Sequence, residues 1–382
     1  MLMSNASAPP TSDRTAHPFY TYDMILEIPQ SIGQTLRTTT EKMESILGGL
    51  RDRENLYFTG CGTAFFAAML GSQVLSLDRN VRTRYSCVPA LELLGYDYFI
   101  DKTCAAIGIS HSGITKTTLD ALKHAKENGA FSLGITHFED RPISNSVNET
   151  LVVGNSPDKS RCHTKCYVAA AAACTQIGIE LLKQSGTPRS SRLQQFEAQL
   201  NELREATAAV LKSVDGLCKR LAEEHSSRNR YYFAGTGPNV PNTLEAALKI
   251  METSFVSAQG FETEQLLHGP WVSLDNESLL FVLAPKGNCH QRNEDLVRAA
   301  KTLETPVIGL IDEGDNELAA LCDEAIQLPA LDEYLSPFVN IIPLYLFAYH
   351  SSVKRGFNPD LLRYPTPAYW QARQIIFPPG TH

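Results

Sequence analysis

Short apolar runs alternate with longer amphipathic ones along most of the chain, at lengths that suit strands followed by helices. Asn55-Leu56-Tyr57-Phe58-Thr59 is a run of strand length ending in Gly60-Cys61-Gly62-Thr63, and Ala64–Leu75 keeps helical spacing behind it. A short strand near Thr83–Cys87, a strand over Ala105–Ile109, a helix over Lys116–Asn128 with Leu119, Leu122 and Ala125 on one face, and a strand over Ser132–Thr136 continue the series. Ahead of them, Met24, Ile25, Ile28, Ile32, Leu36, Met43, Ile46 and Leu47 predict one or two helices between Pro18 and Leu50, with Pro29 marking a break. Strands with Gly-rich ends alternating with helices imply a parallel sheet covered on both faces.

The order then repeats. Asn229–Gly237 echoes Asn55–Gly62, Leu279–Gly287 echoes Ala105–Gly113, and Pro306–Leu310 echoes Phe131–Ile135, each displaced by 174 or 175 positions. The expected fold class is therefore α/β, two tandem doubly wound parallel-sheet domains of about five strands each. His163–Ser185 and Ser191–His225 read as long helices that link and pack the copies. The expected division is a disordered leader over residues 1–17, a first domain with its N-terminal helices over 18–190, a second domain over 191–355, and a C-terminal tail over 356–382 that closes the site.

The turn after the strand Ala105–Ile109, Ser110-His111-Ser112-Gly113-Ile114-Thr115, is where chemistry is expected first. A strand, a short polar turn and a helix aim backbone N–H groups, the positive end of the helix dipole and the hydroxyls of Ser110, Ser112 and Thr115 at whatever lies over the turn. That favours a small anion, most simply a phosphate; the alternative is a turn whose Ser and Thr only cap the helix. The duplication is unequal here, because the second copy has Ala284-Pro285-Lys286-Gly287 and has lost the hydroxyls.

Composition narrows the picture. A net charge of −8 without a Lys/Arg cluster argues against a nucleic-acid partner. Gln176, Glu180, Asn340 and Pro343 interrupt the most apolar stretches, which read as buried helices rather than membrane spans. The N-terminus has no basic segment followed by an apolar one, and nine scattered cysteines fit free thiols in a reducing, cytoplasmic setting. Cys162, His163 and Cys166 lack a second ligand cluster in the sequence, so no metal is expected. No dinucleotide fingerprint with a downstream acid is present, so no nicotinamide cofactor is expected either.

Proton chemistry is expected in Glu245-Ala246-Ala247-Leu248-Lys249-Ile250-Met251-Glu252 and in Glu264-Gln265-Leu266-Leu267-His268-Gly269-Pro270. Lys249 and Glu252 share a helix face, with Leu244, Leu248, Met251 and Phe255 making the apolar one. A carboxylate beside a cation in a closed pocket can carry a proton between adjacent sugar carbons. The plainer readings are a surface ion pair and a turn histidine.

Together with Gly60-Cys61-Gly62-Thr63 and the Ser110–Thr115 turn, these segments resemble the motifs of the sugar isomerase (SIS) domain family. The likeness is to its tandem members, the isomerase half of the glutamine-dependent glucosamine-6-phosphate synthases, over roughly residues 40–365. The resemblance implies that Ser110, Ser112 and Thr115 hold a sugar phosphate, with His111 where glutamine is usual. Cys61, Gly62, Thr63, Thr164, Lys165 and the tail residue Arg363 would line the sugar. Glu252 would move the proton between C1 and C2, and Lys249 would steady the intermediate. His268 would open the ring from the partner subunit of a homodimer.

Three departures bear on the reaction: no N-terminal cysteine nucleophile or glutaminase segment, no lysine after Lys354, and Ala64 in place of a serine. They favour a hexose 6-phosphate or amino-sugar 6-phosphate isomerase or deaminase without glutaminase activity. The alternatives are a fructosamine-6-phosphate deglycase, a sulfosugar isomerase, or a non-catalytic sugar-phosphate sensor.

Overall fold

The computed structural model describes residues 9–77, 83–184 and 191–378. Ten strands form two sheets in which every pairing is parallel. The first holds β1 (Asn55–Thr59), β2 (Arg84–Cys87), β3 (Cys104–Ile109), β4 (Phe131–Thr136) and β5 (Glu149–Val152) in the order β2-β1-β3-β4-β5. The second holds β6 (Arg230–Gly235), β7 (Ser257–Glu262), β8 (Ser278–Ala284), β9 (Val307–Asp312) and β10 (Glu324–Leu328) in the matching order β7-β6-β8-β9-β10. The tandem doubly wound fold expected from the repeat is the fold observed. Even the register agrees, since Asn55 faces Cys104 and Arg230 faces Ser278. β3 and β8, central in their sheets, are buried along their whole length, which explains their unbroken apolar sequences. In this strand order the chain reverses between β1 and β3, and again between β6 and β8, so the strand ends there open a crevice for ligands.

The two sheets share one continuous core through the helices between them. Lys165–Gln184 and Ser336–Lys354 are buried on nearly every side, as their mostly small and apolar residues require. Close approach depends on glycine at one point: a Cβ on Gly71 would lie 2.2 Å from the Cβ of Cys174 and 2.9 Å from the carbonyl of Ala171. Among the described residues no helix is long and apolar enough to cross a membrane.

Two expected helices differ from those observed. The N-terminal break falls at Glu27, between Tyr20–Leu26 and Ile28–Leu50, and Pro29 sits in the first turn of the second helix, where a missing N–H costs nothing. The helix expected over Ser191–His225 is interrupted at Glu202, whose amide is shared by the carbonyls of Ala198 and Gln199.

Chain ends and site are tied together. The Asp360 carboxylate accepts the backbone N–H groups of Tyr20 (3.0 Å) and Thr21 (2.7 Å), capping the first helix from the far end of the chain, and its carbonyl accepts Arg161 N–H at 2.9 Å. Of the leader expected over residues 1–17, the first eight lie outside the described residues. Arg14 pairs with Asp23 at 2.6 Å, and the His17 ring meets the Tyr349 hydroxyl at 2.7 Å. The division expected at residue 190 and the last four residues of the tail also lie outside them.

Candidate active site

At the end of β3 the chain turns through Ser110–Thr115 into the helix Lys116–Glu127. Gly113 takes φ +69°, and a Cβ there would stand 2.6 Å from the Cβ of Arg141, so only glycine closes this turn without strain. Thr115 occupies the N-cap position, but no side chain caps the helix. Instead the Ser110 hydroxyl donates to Thr115 Oγ1 at 3.1 Å and accepts Thr115 N–H at 3.3 Å, while Ser112 Oγ accepts Ile114 N–H at 3.5 Å. The capping alternative is therefore not what these hydroxyls do. The first-turn amides of the helix thus have no capping side chain.

The helix Val240–Ser254 brings the second copy to Thr63, the first residue of the helix that follows β1. Glu245, Lys249 and Glu252 follow one another at spacings of four and three and form one stripe. That stripe is the buried one: Glu245 is 0% and Lys249 2% exposed, whereas Leu244 and Leu248 are half-buried and Met251 is 38% exposed. The surface-ion-pair reading is thus overturned, and the leucine stripe expected to be buried faces partly outward. Lys249 Nζ lies 2.5 Å from Glu252 Oε2 and 3.5 Å from Glu245 Oε1. Glu245 Oε1 also accepts the Tyr345 hydroxyl at 3.0 Å and the Thr63 hydroxyl at 3.4 Å. Burial raises the Glu245 carboxyl to about 7 against the opposing pull of Lys249, and the two carboxylates hold the Lys249 ammonium well above the ordinary lysine range despite its own burial.

Thr63, next after Gly62 at the end of β1, therefore joins front and rear copies by a direct bond. A second link runs through Cys162, whose buried thiol feels the charges of Lys249, Glu252 and Glu245. Cys61 is exposed beside them, its sulfur 3.6 Å from Thr118 Oγ1. Arg363 of the tail lies over Phe255, 4.8 Å from the ring centroid, and donates to the Tyr369 hydroxyl at 2.5 Å. The tail thus covers the C-terminal end of the helix that carries Glu252.

Three other expected site residues stand differently. The Lys165 ammonium is fully buried and held by Glu27 (2.5 Å) and Ser156 (2.8 Å). The Thr164 amide donates to Asp158 Oδ2 at 2.9 Å, and its hydroxyl is buried. His268 is 74% exposed at the end of the short helix Thr263–Leu267, its ring directed to Glu264, and the chain does not bring it to Glu252.

Sequence reasoning gave no role to Glu245, although its place four residues before Lys249 was a usable signal. It also missed the surroundings of His111. Both rings of His111 and His137 are buried without hydrogen-bond partners, packed edge to face at 5.5 Å, and His163 lies 5.6 Å beyond His111. Burial, reinforced by His137 and His163, pushes His111 well below the ordinary histidine range, and burial pushes His137 to about 4. No local signal could have joined positions 111, 137 and 163.

The repeat of the domain is also what comparison with known proteins finds. The SIS domain pattern matches residues 49–179 and again 225–355. The chain belongs to the SIS domain family. It is 29% identical over 351 residues to a glutamine–fructose-6-phosphate aminotransferase (isomerizing) of Thermococcus kodakarensis, covering 91% of this chain and 57% of that protein. With the corresponding Thermus thermophilus protein it is 27% identical, covering 91% and 58%. The chain thus spans a little over half the length of these relatives.

Among solved structures, this SIS chain resembles the C-terminal domain of a Francisella tularensis glucosamine-fructose-6-phosphate aminotransferase (TM-score 0.84, 19% identity, 90% of this chain and 98% of that one). It also resembles a tagatose-6-phosphate ketose/aldose isomerase of Escherichia coli (TM-score 0.76, 20% identity, 93% and 97%). A glucosamine-6-phosphate deaminase of Thermotoga maritima follows (TM-score 0.72, 18% identity, 91% and 98%). These likenesses fix the fold.

Proposed function

We propose that this SIS protein is a phosphosugar isomerase or deaminase that moves a proton between C1 and C2 of a hexose 6-phosphate or amino-sugar 6-phosphate. The observation that carries the reading is the buried Lys249 ammonium, held between Glu252 and a Glu245 that is itself bonded to Thr63 of the front copy. The phosphate rests on Ser110, Ser112, Thr115 and the uncapped first turn of Lys116–Glu127, which fixes the sugar remote from the reacting carbons. Glu252, its side chain 25% exposed, is the carboxylate of the stripe that a sugar reaches, and it takes the proton from one carbon and returns it to the next. Lys249 offers positive charge to the enediolate or enamine oxygen as it forms. Thr63 and Cys61 flank the sugar, Thr164 and Lys165 shape its far wall, and Arg363 closes the tail over it.

His268 is proposed to open the ring across a homodimer interface. Its exposure, together with the partly outward apolar stripe Leu244, Leu248 and Met251 and the exposed Trp271 and Val272 beside it, supports a second copy covering this face. All nine cysteines are unpaired, which supports a reducing, cytoplasmic site of action.

The test is a substrate panel of fructose 6-phosphate, glucosamine 6-phosphate and fructosamine 6-phosphates, assayed for aldose–ketose exchange, ammonia and free amine. Turnover of one of the first two supports the proposal, while free amine from the third assigns a deglycase. Glu252→Gln is expected to lower kcat by about 10²–10⁴-fold with phosphosugar binding nearly intact. Equal loss of binding and turnover would make Glu252 a structural carboxylate, and binding of all three without turnover would make the chain a sensor.

A further inference from the structure

We propose that Asp158, His163 and Cys166 form a binding site for one transition-metal dication of the zinc type, beside which a small rotation of His111 or His137 would supply a fourth ligand. Asp158, His163 and Cys166 each present a ligand atom, and the three atoms lie within 4.8 Å of one another. His163 Nδ1 and Asp158 Oδ2 are 3.6 Å apart, inside the separation of about 3.3–3.8 Å that tetrahedral bonds of about 2.0–2.3 Å impose. The Asp158 side chain is 1% exposed.

Unpartnered atoms supply the second observation. Asp158 Oδ1, His163 Nδ1 and both ring nitrogens of His111 and of His137 are buried with no hydrogen-bond partner. His111 is 8% and His137 5% exposed, and the His111 ring lies between the other two, 5.5 Å and 5.6 Å from them. A carboxylate, a thiol and an imidazole present converging ligand atoms, with two further unpartnered imidazoles packed beside them. The two nearby ammonium groups are engaged elsewhere, Lys165 with Glu27 and Ser156 and Lys249 with Glu252.

Preorganisation and access also fit. Asp158 Oδ2 accepts the Thr164 amide at 2.9 Å, which locks the loop between Asp158 and the first turn of Lys165–Gln184, and the His163 side chain, 42% exposed, leaves an ion a path from solvent. Sulfur and imidazole with a single carboxylate select Zn²⁺ or Co²⁺ over Mg²⁺ or Ca²⁺. Because His111 stands between Ser110 and Ser112, the ion would lie behind the anion turn and add positive charge there.

The inference does not rest on the isomerase reading, since metal uptake is measured without sugar. The full chain is stripped with a chelator and titrated with Co²⁺, with Zn²⁺ as competitor. About one equivalent of Co²⁺ is expected, with a thiolate-to-cobalt charge-transfer band that Zn²⁺ abolishes. Cys166→Ser is expected to remove the band, and His163→Asn to weaken uptake at least about 100-fold. His111→Asn and His137→Asn, compared with each other, identify the fourth ligand by the larger loss. No uptake by the unaltered chain overturns the proposal without reference to any variant, as does a band that survives Cys166→Ser.

Discussion

Lys249→Met probes the electrostatics of the buried stripe, because methionine keeps the apolar stem of the side chain and removes its ammonium. In the unaltered chain Glu245 is raised from its ordinary 4.5 to about 7, burial being opposed mainly by Lys249. The sign follows from proton counting. Between about pH 4.5 and 7 the folded chain holds a proton on Glu245 that the unfolded chain has released, so stability falls as pH rises through that window and levels off above it. Without the ammonium, which lies 3.5 Å from Glu245 and 2.5 Å from Glu252, the folded carboxyl titrates higher still. The fall then continues above pH 7 at about 1.4 kcal/mol per pH unit.

Near pH 6, where Glu245 is mostly protonated in both proteins, the variant loses chiefly the charged bond to Glu252, about 2 kcal/mol. By pH 8.5 the gap widens to about 4 kcal/mol, within the usual cost of removing one partner from a buried pair. Urea unfolding at pH 6, 7 and 8.5, with the m-value checked for constancy, measures the gap. A gap that stays the same across this range would refute the argument, and the double variant Glu245→Gln/Lys249→Met should abolish the slope.

Ser112→Ala should weaken a phosphorylated sugar about 10-fold or more and leave its unphosphorylated form unchanged in a calorimetric titration, since the hydroxyl's expected partner is the charged group. Asp360→Ala removes the acceptor of Tyr20 N–H, Thr21 N–H and the Thr21 hydroxyl (2.8 Å), and should cost about 2–4 kcal/mol in urea unfolding; a loss below about 0.5 kcal/mol would show that the ends of the chain are not held through this carboxylate.

The fold was legible because its signals are local and occur twice. β3 and β8 are buried on both faces, so their sequences are apolar without interruption, and a fixed displacement relates each strand of one sheet to its counterpart. The hydroxyl turn was legible for the same reason, since strand, glycine and helix are consecutive. The orientation of Val240–Ser254 was not. This helix turns inward on Ala246, Ala247, Ile250 and Thr253, with Thr253 Oγ1 donating to the Lys249 carbonyl at 2.8 Å and to the Ala348 carbonyl at 3.3 Å. Small residues let it approach Ser336–Lys354 closely, and Tyr345 from that neighbour satisfies Glu245. The large leucines, which a periodicity argument places in the core, are left on the partly open side. His163 and Cys166 stood out in the sequence together with Cys162, but the rings of His111 and His137 near them did not, because they come from the ends of β3 and β4 with no spacing to connect them.

The inequality of the two copies has a physical account that decides how many sugars one chain holds. In the rear copy the turn after β8 is filled by its own carboxylates. Asp312, at the end of β9, accepts the Lys286 amide at 2.9 Å, and Glu333 lies so close that a Cβ on Gly287 would stand 2.3 Å from its carboxyl carbon. Glu333 also accepts the Asn288 amide at 3.4 Å. In the front copy no carboxylate stands at the end of β4, where Thr136 donates its hydroxyl to the His111 carbonyl at 3.3 Å. Burial raises both Asp312 and Glu333, as expected of acids placed where an exogenous anion would otherwise sit. An arriving phosphate would meet two carboxylates at the rear turn, each already holding a backbone amide. Calorimetric titration with a hexose 6-phosphate should therefore saturate at one ligand per chain. Two equivalent sites would mean that the rear carboxylates yield to phosphate, and the division of labour between the copies would fail with them.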